Sequence, residues 1–322
     1  MKQFLMFVIA FAVVLCIAGF LGWRYFGPVG GTNQTVFTVP QQSAGFDVPH
    51  ELSRGHLIKN EKAFRWLYNL LVAGKTTAAG GYRLEGTMTA WGVIRKLTSQ
   101  PDFAWVTVRE GLRKEQIGIL LHDKLGWTSA QETAWNSVND GSDEFREGVY
   151  FPDTYLLPRD ESVEQIAKRF TDHFNEKFAP YATSFAAQDI KWTTGIKIAS
   201  LIQREAGGSA DMPIISGVIW NRLNKGMALQ IDATIQYVLG NAKDGWWPVV
   251  KGSDTSIDSL YNTYLHKGLP PGPIANPGLA AIAAAANPAE TDCLFYLHDH
   301  DRQIHCSVTY AEHLVNIKKY LE

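Results

Sequence analysis

The sequence predicts an α+β protein made of an N-terminal transmembrane helix, a small α+β subdomain and a larger α+β domain. Three observations carry this. Phe4 to Trp23 is a run of twenty residues without a charge, long enough for a helix of about 30 Å. Between Val36 and Leu125, short strand-like segments interleave with amphipathic stretches. Beyond Gly148, longer helical patterns dominate, broken by a loop rich in proline and glycine.

The elements follow in order. Residues 1–3 form a short cytoplasmic tail and 4–23 the span. Lys2 and the terminal amine against Arg24 put the body outside the cytoplasm. A cleaved signal peptide is the alternative, but the apolar run exceeds a usual signal core and no small-x-small site follows it cleanly. Leu15 stands where a lipoprotein signal needs a small residue, which sets lipidation of Cys16 aside. Residues 24–35, rich in Gly, Pro, Thr and Asn, read as a linker. Val36–Val39 reads as a strand, and Asn60 caps a helix carrying Phe64, Leu67, Leu70 and Leu71. Tyr82–Leu84 and Trp105–Val108 read as strands, Met88–Leu97 and Lys114–Leu125 as helices. A boundary near Gly148 separates a 36–147 region from a 148–322 domain that opens with a long helix, Val163–Phe178.

Composition narrows the function. With 322 residues and 46% hydrophobic content the chain has enough apolar material for one large or two medium cores. A net charge of −2 without long basic runs excludes nucleic acid as the main partner, and ten tryptophans suit neutral, ring-shaped ligands. No nucleophilic serine or cysteine motif, phosphate loop or zinc signature occurs. HisAspHis at 298–300 with His305 matches no ligand spacing, so neither a metal nor another cofactor is expected. Cys293 and Cys306 fall in one candidate hairpin, either bridged in an oxidising compartment or buried as two free thiols.

The chemistry concentrates downstream. On a helical wheel, Ile196–Ala206 groups Ile198, Ala199, Leu201 and Ile202 on one arc, with Lys197, Ser200, Gln203 and Arg204 opposite, and Glu205 falls inside the apolar arc. A carboxyl there is desolvated and keeps its proton longer, as a general acid requires; a buried ion pair would leave the same trace. Gly207 and Gly208 end the helix and leave room for a ligand. Arg222 repeats the anomaly on the next helix, Ile214–Lys225, and reads as structural. Residues 227–234 alternate like a strand, with Gln230 and Asp232 on the face opposite Leu229 and Ile231. The loop 259–278 carries Tyr261, Asn262 and Tyr264, either as a sugar platform or as core packing, and Asn276 with Pro277 caps the Ala-rich helix that follows.

These residues resemble the membrane-anchored endolytic murein transglycosylases, the MltG or YceG-like family. The resemblance is carried by AlaSerLeuIleGlnArgGlu at 199–205, ValIleTrpAsnArgLeuAsnLysGlyMetAlaLeuGlnIleAspAlaThr at 218–234, TyrAsnThrTyr at 261–264 and GlyLeuProProGlyProIleAlaAsnProGly at 268–278. It implies a LysM-like region over 36–147 and a transglycosylase catalytic domain over 148–322. The implied activity is cleavage of peptidoglycan glycan strands between MurNAc and GlcNAc, leaving 1,6-anhydro-MurNAc ends. Glu205 is then the catalytic acid, with Asn221, Gln230, Asp232, Thr234, Tyr261, Asn262 and Tyr264 as candidate saccharide contacts. The implied location is the bacterial inner membrane with the body outside, within reach of the peptidoglycan synthesis machinery. Two departures stand out: Gln203 replaces a usual second Glu, and Ala233 replaces the proline of a usual Asp-Pro-Thr. A catalytically silent peptidoglycan-binding scaffold and a hydrolytic muramidase are the alternatives.

Overall fold

The computed structural model describes residues 2–42, 44–72, 76–138 and 147–322; Met1 of the expected tail lies outside them. These residues form a mixed α+β protein of two compact units. Unit 1 comprises Met1–Val106 and Tyr155–Asp160, unit 2 Thr107–Thr154 and Glu161–Glu322. The division falls after Val106, upstream of the Gly148 boundary expected from sequence, and one later strand returns to the first unit's sheet.

Unit 1 contains helix α1 (Lys2–Phe26), which is long and apolar enough to cross a membrane and buries none of its residues in the protein. Strand β1 (Gln34–Val39), helices α2 (Val48–Arg54) and α3 (Glu61–Leu71), strand β2 (Gly80–Glu85), helix α4 (Ala90–Leu97) and strand β3 (Phe103–Thr107) follow. Strand β4 (Thr154–Pro158) completes a sheet of order β1-β2-β3-β4. β1 runs antiparallel to β2 from Gln34 opposite Glu85 to Val39 opposite Gly80. Phe37, Val39, Leu52, Phe64, Tyr82, Leu84, Val93 and Leu97 form its core. Asn60 caps α3 as its sequence indicates, its side chain accepting from the Ala63 amide. Of that helix's apolar stripe Phe64 is buried and Leu67 packs half-buried against the core, while Leu70 and Leu71 face solvent.

Unit 2 begins with α5 (Lys114–Leu121), shorter than expected because it loosens into a π turn at His122–Gly126. Helices α6 (Ser129–Ser137) and α7 (Val163–Ala187) follow. α7 runs past the expected end at Phe178 and through Pro180, because Phe185 beyond the proline stacks on Phe178 at 6.0 Å and holds the extra turns. Then come α8 (Trp192–Glu205), α9 (Met212–Asn224), α10 (Asp232–Leu239), α11 (Leu279–Ala286), the hairpin β5 (Phe295–His298) and β6 (Ile304–Ser307), and α12 (Tyr310–Tyr320).

Two local expectations are corrected. Residues 227–234 form no strand: Gln230 turns into the left-handed region at φ 52°, and the chain enters α10 at Asp232. The alternation was real, since Leu229 and Ile231 are buried and Gln230 and Asp232 exposed, but it belongs to an irregular segment tied to Thr263. Asn276 does not cap α11, whose N-cap is Gly278. It is fully buried, where its amide donates to Glu147 at 2.5 Å and to the Leu112 carbonyl and accepts from the Tyr150 amide.

Candidate active site

α8 is a central helix. Ile198, Ala199, Leu201 and Ile202 are buried as the wheel predicts, but Ile196 and Ser200 on the opposite side are buried too, Ser200 accepting from the Ile274 amide. The helix is therefore fixed on both sides, and its last residue, Glu205, is held in place by packing. The next residue, Ala206, is extended, and the Gly207 and Gly208 amides donate to the two carboxylate oxygens of Asp211 at 2.8 and 3.2 Å. Gly207 is needed for closeness to protein, not to ligand: a Cβ there would meet Asp211, Arg302 and His298 at 3.3–3.4 Å.

Glu205 lines a pocket of about 440 Å³ together with Arg222, Gln230, Asp232, Tyr264, Phe295, Tyr296, Tyr310 and His313. Its carboxyl is enclosed by protein yet open on the pocket side. Burial pushes its pKa above the ordinary glutamate value, and the charge of Asp232 pushes the same way. The Tyr296 hydroxyl, donating to Glu205 Oε2 at 2.6 Å, works against this, as do the Ala233 backbone amide and His298. Burial outweighs these donors. The Ala233 amide sits in the first turn of α10, where free N–H groups and the helix dipole favour a negative charge. Glu205 is thus a carboxyl that resists ionising but is supported once it does, as a group that must both give and take a proton requires.

The expected contacts divide. Gln230, Asp232 and Tyr264 line the pocket with Glu205, and the Tyr264 hydroxyl donates to Asp232 at 2.5 Å. Burial and the neighbouring Asp232 raise the pKa of that phenol. Four other residues lie elsewhere. Thr234 is fully buried, its hydroxyl donating to the Ile231 carbonyl. Asn262 is fully buried as a loop brace, donating to the Thr255 and Ile257 carbonyls. Tyr261 packs on Tyr237 at 4.9 Å between ring centroids. Asn221 donates to the Thr291 and Cys293 carbonyls and lines a separate cavity of about 770 Å³ beside Trp220. Among the described residues Arg222 makes no ion pair: it donates to the Leu294 and Leu229 carbonyls, each at 2.6 Å.

Sequence reading missed Tyr296, the direct partner of Glu205. Its signal was present: Tyr296 and His298 are two apart on one strand, so both face α8. The hairpin itself was legible, and Cys293 and Cys306 are bridged, with Cα atoms 5.8 Å apart. His298 and His305 pair with Asp211 and Asp299 respectively.

The sequence model of the YceG-like family matches residues 37–319. The chain belongs to the YceG-like family. It is 32% identical to the endolytic murein transglycosylase of Bacillus subtilis, across 91% of this chain and 87% of that one. It is 25% identical to the protein of the same name from Streptococcus pneumoniae, covering 92% of this chain and 61% of that longer one. Among solved structures, a YceG-like protein of Listeria monocytogenes superimposes with a TM-score of 0.57 at 26% identity, over 88% of this chain and 99% of the other. Within this YceG-like chain, Gln203 accepts from the Gly278 amide at 2.9 Å and so holds the proline-rich loop against α8.

Proposed function

We propose that this YceG-like protein is an endolytic peptidoglycan lytic transglycosylase that cuts the MurNAc–GlcNAc bond with Glu205 as its acid and base. The observation that carries the reading is a single carboxyl, raised in pKa by burial, opening on a pocket lined by aromatic and polar side chains. Protonated Glu205 donates to the glycosidic oxygen as the C1–O bond breaks. The resulting carboxylate, supported by the Tyr296 hydroxyl and the Ala233 amide, takes the proton of the MurNAc C6 hydroxyl as that oxygen attacks C1. The product is a 1,6-anhydro ring and no water is consumed. This one-carboxyl cycle differs from the two-carboxylate hydrolase scheme. Gln230, Asp232 and Tyr264 are the side chains within reach of the sugar.

The finer organisation belongs to the same reading. α1 serves as a single-pass anchor in the cytoplasmic membrane, with the chain beyond it on the cell-wall side, and residues 36–147 act as a LysM-like peptidoglycan-binding module. The test is product mass from purified peptidoglycan. Products one water lighter than hydrolysis products, lost in Glu205→Gln with its circular dichroism unchanged, support the reading. Hydrated reducing ends make the protein a muramidase, and binding without cleavage makes it a scaffold.

A further inference from the structure

The hairpin of β5 and β6 reaches from α9 to the end of α8. At its base, Asn221 donates to the Thr291 and Cys293 carbonyls at 2.6 and 3.1 Å, and Arg222 Nε donates to the Leu294 carbonyl at 2.6 Å. All three acceptors lie in the segment leading into β5. Cys293, in that segment, is bridged to Cys306 on β6, and Cys306 is the cross-strand partner of Tyr296. The hairpin then touches the end of α8 twice. The Tyr296 hydroxyl donates to Glu205 at 2.6 Å, and His298 Nε2 hydrogen-bonds Asp211 Oδ2 at 2.6 Å, the same oxygen that accepts from the Gly207 amide. With four residues per strand, such a ribbon has little stability of its own. Its position therefore depends on these ties.

We propose that the hairpin is a clamp in which Tyr296 is the positioning residue for Glu205, and that the Cys293–Cys306 bridge makes the clamp depend on oxidation. The inference rests on Glu205 being the acid. A carboxyl pinned through one oxygen loses rotational freedom, so its proton is presented to the pocket in one direction. The bridge joins the α9-anchored segment to the strand beside Tyr296, closing a loop between residues 13 apart in sequence. Reduction by a dithiol, which becomes a disulfide as two electrons and two protons pass to the protein's sulfurs, opens that loop and removes the covalent tie between the α9-anchored segment and β6, the strand that pairs with Tyr296. Asn221 and Arg222 then act at the base of the clamp. Other groups also face Glu205: Asp232 from α10, Tyr264 from the 261–264 loop, Arg222 from α9, His298 from β5 and His313 from α12. The effect of Tyr296 must be separated from theirs.

The experiment uses the full chain in detergent. Tyr296→Phe keeps the ring and removes only the donor, so kcat on peptidoglycan should fall at least tenfold with KM nearly unchanged. The high-pH limb of the rate profile should rise by about one pH unit, since a donor to the ionised carboxyl is gone. NMR titration of isotope-labelled glutamate, assigned with Glu205→Gln, should show the same upward shift whether or not turnover is detectable. Dithiothreitol should lower kcat of the wild type and leave a Cys293→Ser, Cys306→Ser double variant unaffected. An unchanged Glu205 titration in Tyr296→Phe overturns the positioning role. Equal activity and titration of oxidised and reduced wild type overturn the redox dependence, even if the serine variant fails to fold. Absence of anhydro products from the wild type overturns the transglycosylase reading instead.

Discussion

Arg113→Met is expected to destabilise unit 2 by about 3 kcal/mol and to disturb the pocket from its far side. Arg113 is only 3% exposed, and its guanidinium donates to the Gln236, Tyr237 and Trp246 carbonyls at 2.8, 3.0 and 2.6 Å. It also lies over the rings of Tyr237 and Trp247, at 4.5 and 4.3 Å from the centroids. Methionine keeps the apolar stem but leaves three carbonyls without that partner, at about 1–3 kcal/mol each. Against this stands the cost of burying a guanidinium, visible in the lowering of its pKa by desolvation. That cost returns several kcal/mol on substitution, and the balance is about 3 kcal/mol. In a unit of this size the midpoint of thermal unfolding should drop by roughly 6–12 °C. Arg113→Lys should recover less than half, because an ammonium cannot fan across three acceptors. Two of the carbonyls it would lose, those of Gln236 and Tyr237, lie at the C-terminal end of α10, whose first turn brings Asp232 and Ala233 to Glu205. Cleavage should therefore weaken below the melting temperature as well. Scanning calorimetry with product assays at 25 °C checks both, and a midpoint within about 2 °C of wild type would refute the reasoning.

Other expected outcomes follow from the pocket and its surroundings. Asp232→Asn removes a charge that opposes ionisation of Glu205, so the high-pH limb of activity should move down, opposite in sign to Tyr296→Phe. Ala233→Pro, at the second position of α10 where proline is tolerated, removes the amide that supports ionised Glu205. The acid should then hold its proton to higher pH, read by the same NMR titration. Glu147 is fully enclosed, and burial pushes its carboxyl up to about 8, outweighing donation from the Lys114 and Gly148 amides. A raised carboxyl contributes stability below the unfolded pKa and loses it as pH rises towards the folded one. Unfolding free energy from urea titrations should thus fall between pH 5 and pH 8 by up to about 1.4 kcal/mol per pH unit, and Glu147→Gln should flatten that slope.

The two levels of structure were not equally legible in the sequence. Local elements were readable where one principle decided them: the uncharged run of α1, the Asn60 cap, the apolar alternation that marks β3. Boundaries failed where tertiary contacts override local preference, as at Pro180, where Phe185 carries α7 beyond a residue that breaks exposed helices. Glu205 stood out because its carboxylate falls on an apolar arc, where an acid and a buried ion pair leave the same trace, and it is the resemblance to the murein transglycosylases that points to the acid. Its neighbours were not legible, since Asn221, Thr234 and Asn262 have the polar character of sugar contacts and spend it on backbone carbonyls. A buried amide that satisfies a loop and an exposed one that binds a ligand look alike until partners are known.

What a single sequence hides most completely is a partner supplied from far along the chain. Tyr296 meets Glu205 across 91 residues, and Arg113 meets the carbonyls of α10 across more than 120. Arg113 has no local pattern to mark it, and the two-residue spacing of Tyr296 and His298 marks a shared strand face without naming the helix it meets. α10 joins the two effects: its amide end supports the ionised form of Glu205, and its carbonyl end is held by a buried cation. A short helix of eight residues keeps its orientation only if both ends are engaged. On this argument the Arg113→Met and Ala233→Pro effects on Glu205 act through one element, and the double variant should shift its titration by less than the two single shifts combined. A fully additive result would mean that the ends of α10 act independently.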